Sequence, residues 1–105
     1  MDPVWHITTD GTPASPAGEG FVHASFPPQL AGSLAKHYAG AGQVLLLRLD
    51  AAALGETLVI EPSRDEQLFP HVYGEIAPGH VLERVTLTRG DDGGFDLSAV
   101  PGATS

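Results

Sequence analysis

Apolar positions fall into short runs of strand length, with helical spacing in one place. Val4-Trp5-His6-Ile7-Thr8-Thr9 alternates as a strand does, with Val4, His6 and Thr8 on one face and Trp5 and Ile7 on the other. If Trp5 and Ile7 pack inward, His6 and Thr8 look to the opposite side, into a cleft or into solvent. Phe21 to Ser25 alternates again and groups Phe21, His23 and Ser25. Leu30, Leu34, His37 and Tyr38 then mark one stripe of a helix over 29–38, with Pro27 and Pro28 tolerated in its first turn and Gly40 and Gly42 ending it. Ser25 is a candidate N-cap.

Val44 to Leu49 is almost continuously apolar, the pattern of a strand buried on both faces, and belongs at the centre of a sheet. Asp50 is placed to cap a short turn through Leu54 that ends at Gly55, and strand pattern resumes from Thr57 to Glu61 before Pro62. Leu68 to Gly74 is apolar and aromatic but carries Pro70, which predicts an edge strand or a bend. His71 and Tyr73 share a face if the segment is extended. His80 to Thr88 alternates, and Gly90 to Gly94 joins it to Phe95-Asp96-Leu97 as a hairpin. The loop over 10–19, rich in Gly, Pro and Ser, has the composition of a surface connection rather than a flap.

These elements predict an α+β domain: a bent, mostly antiparallel sheet of about six short strands, split or half-barrelled, with one main helix packed on it. Length allows one domain, set at 1–97, with a flexible tail over 98–105. Thirteen Gly and nine Pro among 105 residues fit a loop-rich fold, and 42% apolar content with mean hydropathy near zero fits a soluble protein. No signal peptide or run of membrane-spanning length is apparent, so a cytoplasmic location is expected. The absence of cysteine excludes disulfides, thiolate metal sites and a Cys nucleophile. A formal charge of -8, from five Lys and Arg against thirteen Asp and Glu, argues against a nucleic-acid surface, and the lack of a spanning apolar run argues against a membrane partner. It leaves room for a small anionic ligand in a locally positive pocket.

The candidate chemistry lies in the histidines. His6, His23 and His71 are each followed two residues later by Thr8, Ser25 or Tyr73, which pairs an imidazole with a hydroxyl on one strand face. Three uses compete. A histidine trio can hold zinc, but the tight spacings that mark zinc enzymes are absent. A serine hydrolase built on Ser25 lacks the G-x-S-x-G elbow. A nucleotide cleft would use the imidazoles and hydroxyls on ribose and phosphate oxygens, helped by the helix start after Ser25, where unpaired N–H groups and the macrodipole favour anions.

V-W-H-I-T-T, G-E-G-F-V-H-A-S, a helix ending in H-Y-A-G, V-L-L-L-R-L-D and L-F-P-H-V-Y-G, in that order, resemble a bacterial family catalogued as domain of unknown function 952. The likeness runs from Val4 to about Phe95, with a shortened segment over 10–19. That pattern is in turn similar to the ADP-ribosyltransferase superfamily and its RNA 2′-phosphotransferases. The resemblance implies an ADP-ribosyltransferase-like fold and a site in which His6 and Thr8 contact the nicotinamide-side ribose and amide. His23 and Ser25 would line the opposite wall, and His71 would take the third motif's place, often held by a catalytic Glu. Glu61 or Glu75 could substitute, though neither matches the motif.

The expectation is an NAD-utilising or nucleotide-modifying transferase, ADP-ribosyl- or phosphotransferase-like. Its catalytic residues would be His6, His23 and His71, and its NAD-binding residues Thr8, Ser25, Tyr38 and Tyr73, with no metal. The alternative is a non-enzymatic module that binds a nucleotide or another small ligand on the same fold.

Overall fold

In a computed structural model, which describes residues 3–16, 20–63, 67–91 and 93–102, six strands form two antiparallel three-stranded sheets. Strand β1 (Val4–Thr8) pairs with β3 (Gln43–Leu49), which pairs with β6 (Val81–Thr88). Strand β2 (Val22–His23) pairs with β5 (Leu68–Val72), which pairs with β4 (Leu58–Pro62). Helix α1 (Leu30–His37) follows a 3-10 turn over Pro27–Gln29, and the short helix α2 (Ala51–Leu54) follows β3.

The two sheets meet where β2 ends. Trp5 N–H donates to Ser25 O at 2.9 Å and Ser25 N–H returns the bond to Trp5 O at 2.7 Å. One residue earlier, Ala24 N–H still donates to Pro70 O at 3.1 Å, so the chain leaves β5 for β1 within one peptide. Pro70 lies opposite Ala24 at this departure, where the ladder bond its missing N–H would have made is not continued. The edge strand or bend expected from Pro70 is therefore corrected. β5 is the middle strand of its sheet, Pro70 is fully buried, and the proline marks the exit of a neighbour.

The apolar pattern of β3 holds, and it sits centrally in its sheet. Val44 and Leu46 face one core with Trp5, Ile7, Leu30, Leu34 and Leu87, beneath α1. Leu47 and Leu49 face a second core, which joins Val4 to Val22, Ala24, Leu54 and Val72. Both faces of β1 are consequently covered and all five of its residues are buried, His6 and Thr8 included. Two apolar faces on one strand are the consequence of a sheet bent back over itself.

Three local expectations change. Ser25 does not cap α1: its hydroxyl pairs with Ser33 Oγ at 3.1 Å, and Phe26 N–H is taken by Gln29 Oε1 at 3.0 Å. Phe95 to Leu97 forms a single bridge, Arg89 to Phe95, because the turn closes at Gly90 to Gly94 and the chain then dives into the core. Val100, in the segment expected to be a tail, is 1% exposed and packs in the core under α1. By contrast, Asp50 accepts from Ala53 N–H at 3.2 Å, and Gly55 at φ +55 ends α2 as its sequence requires.

Candidate functional site

At the C-terminal end of β1 the bent sheet, α1 and the segment after β1 enclose a cleft of about 730 Å³. His6, Thr8, His23, Ser25 and Tyr38 all line it, so five of the seven candidate residues come together. His71 and Tyr73 are not among the lining residues.

His6 is 5% exposed, and partners on both sides fix its ring. Ala14 N–H donates to Nε2 at 3.1 Å, which leaves Nδ1 to carry the proton and donate to His23 O at 2.8 Å. Burial lowers its pKa, the His23 carbonyl works against that shift, and the His23 ring adds to it. The loop over 10–19, expected to be a plain surface connection, thus closes onto the first histidine and supplies Asp10, Thr12, Ala14 and Ser15 to the cleft wall. Ala17, Gly18 and Glu19 lie outside the described residues.

The hydroxyls are largely committed. Thr8 Oγ1 accepts from Gly11 N–H at 2.6 Å and Asp10 N–H at 3.1 Å and closes the turn after β1. Tyr38 donates to Ile7 O at 3.1 Å, which ties the end of α1 to β1, and burial raises its pKa. The helix start is closed too. Pro27 and Pro28 have no N–H, while Gln29 N–H and Leu30 N–H bond to Phe26 O and Pro27 O in the 3-10 turn. The anion site expected at that junction is absent, because the proline-led turn consumes the amides that an anion would need.

On the sheet wall, the β2–β5 pairing of His23 with His71 brings four rings to one face. Phe21 stacks on His71 with centroids 4.2 Å apart and planes 26° from parallel. His23 meets His71 edge-on at 5.4 Å, and Phe21 lies 4.9 Å from His23 and 5.3 Å from Tyr73. His71 is 3% exposed. Its Nδ1 lies 2.7 Å from Glu61 Oε1 and its buried Nε2 has no partner among the described residues. The Tyr73 hydroxyl donates to the same Glu61 oxygen. These two bonds hold the Glu61 carboxyl below the usual carboxylate range, the Tyr73 bond most, and the same bond raises Tyr73.

Glu61 does not match the third motif in sequence; the β4–β5 register, with Val59 opposite His71, brings its carboxylate to the His71 ring. Glu75 accepts instead from Ser15 Oγ at 3.3 Å. Lys36, His37 and Ser33 on α1, and Phe21 and Phe69 on the sheet, are lining residues that were not singled out for this role. Lys36 had a readable signal, for it is the only lysine in the chain. His80 accepts from Ala77 N–H at 3.0 Å and closes its own turn. Among the described residues no group of three or more His, Asp or Glu side chains is arranged to hold a metal ion.

The fold places the chain in a class already known by structure. Protein CC0527 from Caulobacter crescentus has the same α+β architecture. Its crystal structure has a TM-score of 0.81 at 26% identity, covering 92% of this chain and 96% of that one. Its solution structure has a TM-score of 0.77 at 28% identity, covering 94% and 96%. Residues 5–84 match the family model described as protein of unknown function (DUF952), and the chain belongs to that family. No curated protein matches the chain.

Proposed function

We infer that the cleft handles a nucleotide, with NAD the leading candidate, and that the protein is an ADP-ribosyl- or phosphotransferase-like enzyme. One observation carries the reading. In a chain of net charge -8, the single lysine stands in the cleft, in company with His37, His23 and a wall of Thr and Ser side chains. A local cation inside an acidic molecule favours a small anion and disfavours a polyanion.

The residues present suit NAD as a ligand. A cleft of about 730 Å³ lies within the roughly 300–1,000 Å³ typical of small-ligand sites. Lys36 would meet phosphate oxygens, and His23, exposed on β2 and lining the cleft, would bring its imidazole to a bound molecule. His6, with both nitrogens engaged, positions the His23 backbone rather than reacting. Transfer of ADP-ribose breaks the bond from the ribose to nicotinamide and builds positive charge on the sugar, which a carboxylate stabilises. Asp10 is the carboxylate that lines the cleft, held by Thr12 N–H at 2.9 Å, while Glu61 is not among the lining residues and holds His71.

The commitment of His6 and Thr8 to backbone partners also favours the second reading, a nucleotide-binding module without turnover. Isothermal titration with NAD, paired with a nicotinamide-release assay on wild type and His23→Ala, tests both. The expected result is NAD binding that weakens about tenfold in Lys36→Ala, with nicotinamide release abolished in His23→Ala, since a lost charge-assisted bond is worth about 1.5–3 kcal/mol. Binding without release assigns the module. No binding of NAD by the wild-type protein overturns the reading.

A further inference from the structure

We propose that the cleft is polar end to end in the sense of a vector: a ring-binding floor at Phe21 and Phe69 opposes an anion-binding wall at Lys36, and Glu61 sets the floor. The inference rests on the nucleotide reading and gives the bound molecule a direction. It assigns the base to the aromatic floor and the phosphate to Lys36, so a phosphorylated sugar with no aromatic base would lack half of the contacts.

The floor is already built as half of a stack. Phe21 is half-buried and lines the cleft, and its stacking partner His71, 4.2 Å away, is sealed from solvent. A planar ligand ring laid on the cleft side of Phe21 would extend a stack whose lower layer is fixed. Such a surface loses little freedom on binding, because its rings are ordered beforehand. Phe69, 5% exposed, continues the apolar floor on β5. Lys36 and His37 line the same cleft from α1, so base and phosphate meet different elements.

Glu61 is a positioning residue in this arrangement. Its Oε1 receives both His71 and Tyr73, two of the four rings, from the neighbouring strand. The bond fixes the His71 ring plane, and that plane supports Phe21. A side chain at 61 that accepts the same two donors therefore preserves the floor, whatever its charge, whereas one that cannot accept releases it.

The experiment compares three probes on the intact chain by amide chemical-shift titration: NAD, adenosine as ring alone, and inorganic pyrophosphate as anion alone. Base stacking on an aromatic side chain is worth about 1–3 kcal/mol, or roughly five- to a hundredfold in affinity. Phe21→Leu is expected to weaken NAD and adenosine by about tenfold and to leave pyrophosphate unchanged. Glu61→Ala should follow Phe21→Leu, and Glu61→Gln should keep wild-type affinity, a rescue that separates positioning from charge. Bound adenosine should show upfield shifts of its base protons, a readout that needs no variant. If NAD binds wild type and Phe21→Leu equally, the ring floor is overturned and the nucleotide reading survives. If pyrophosphate binds and neither adenosine nor NAD does, both the floor and the nucleotide reading are overturned. Equal losses for NAD and pyrophosphate in Phe21→Leu would assign that variant a general structural defect and also overturn the floor.

Discussion

His6 is held at both ring nitrogens. Ala14 N–H donates to one and the other bonds the His23 carbonyl. The consequence is a pH dependence of stability. Burial lowers the folded-state pKa below 6.5, so the folded chain binds fewer protons here than the unfolded chain. The contribution is fully present above the unfolded value of about 6.5 and is lost as pH falls through the folded value. Urea midpoints measured from pH 7 downward should therefore decline, and His6→Gln should flatten that decline, because an amide can make both bonds without titrating. An equal slope in the variant would remove His6 from the account. Glu61 acts in the same direction at lower pH: its depressed pKa gives stability above the unfolded carboxylate value that disappears as pH falls through the folded one.

At the scale of elements, the most connected joint is one that the hydrophobic pattern could not reveal. Arg89, just after β6, donates from Nε to Ala41 O at 2.8 Å, from a terminal nitrogen to Tyr38 O at 2.7 Å, and from the other to Gly93 O. Its guanidinium also lies 4.5 Å from the centre of the Phe95 ring. One planar fork thus holds the end of α1, the turn into β3 and the turn after β6. Arg89→Ala should cost about 1.5–3 kcal/mol in chemical denaturation, the range of hydrogen bonds made by a charged group, and Arg89→Lys should recover little of it. Full recovery by lysine would show that charge alone matters.

Elements whose residues sit close in sequence were legible: the alternation of β1, the apolar run of β3, the Asp50 cap and the Leu30–Leu34 stripe all follow local rules. Arg89, the Glu61–His71 pair and the burial of both faces of β1 depend on register between distant strands, which local periodicity does not encode. Ser25 belongs with them: its N–H and carbonyl bond to Trp5, a partner twenty residues away, its hydroxyl meets Ser33, and Phe26 takes the cap position. Within the cleft, the grouping of His6, Thr8, His23, Ser25 and Tyr38 was anticipated, whereas Phe21, Lys36 and Phe69 were read only as pattern or charge.

For the whole molecule, the decisive connection is the exchange of bonds between Trp5 and Ser25. It makes two three-stranded sheets act as one curved surface, with a core on each side of β1 and β3. The sheets should therefore open together. Amide hydrogen exchange at Trp5 and Ser25 should be as slow as at Leu46 in the middle of β3, tracking global unfolding. Faster exchange at Ser25 alone would show a seam that opens independently. Leu46→Ala, which empties a site with no exposure, should cost about 2–5 kcal/mol and shift both sheets equally in the same experiment.

Pro70 gives this curvature its address. An imino acid cannot hand a proton to the strand beside it, so β2 is released at that rung and free to cross to β1. Had a residue with an amide proton stood there, the ribbon could have run on straight and level, and the hollow beside α1 would have lost the bent sheet that walls it. A recess fit for a guest is, on this view, the by-product of one bond that the backbone was never able to make.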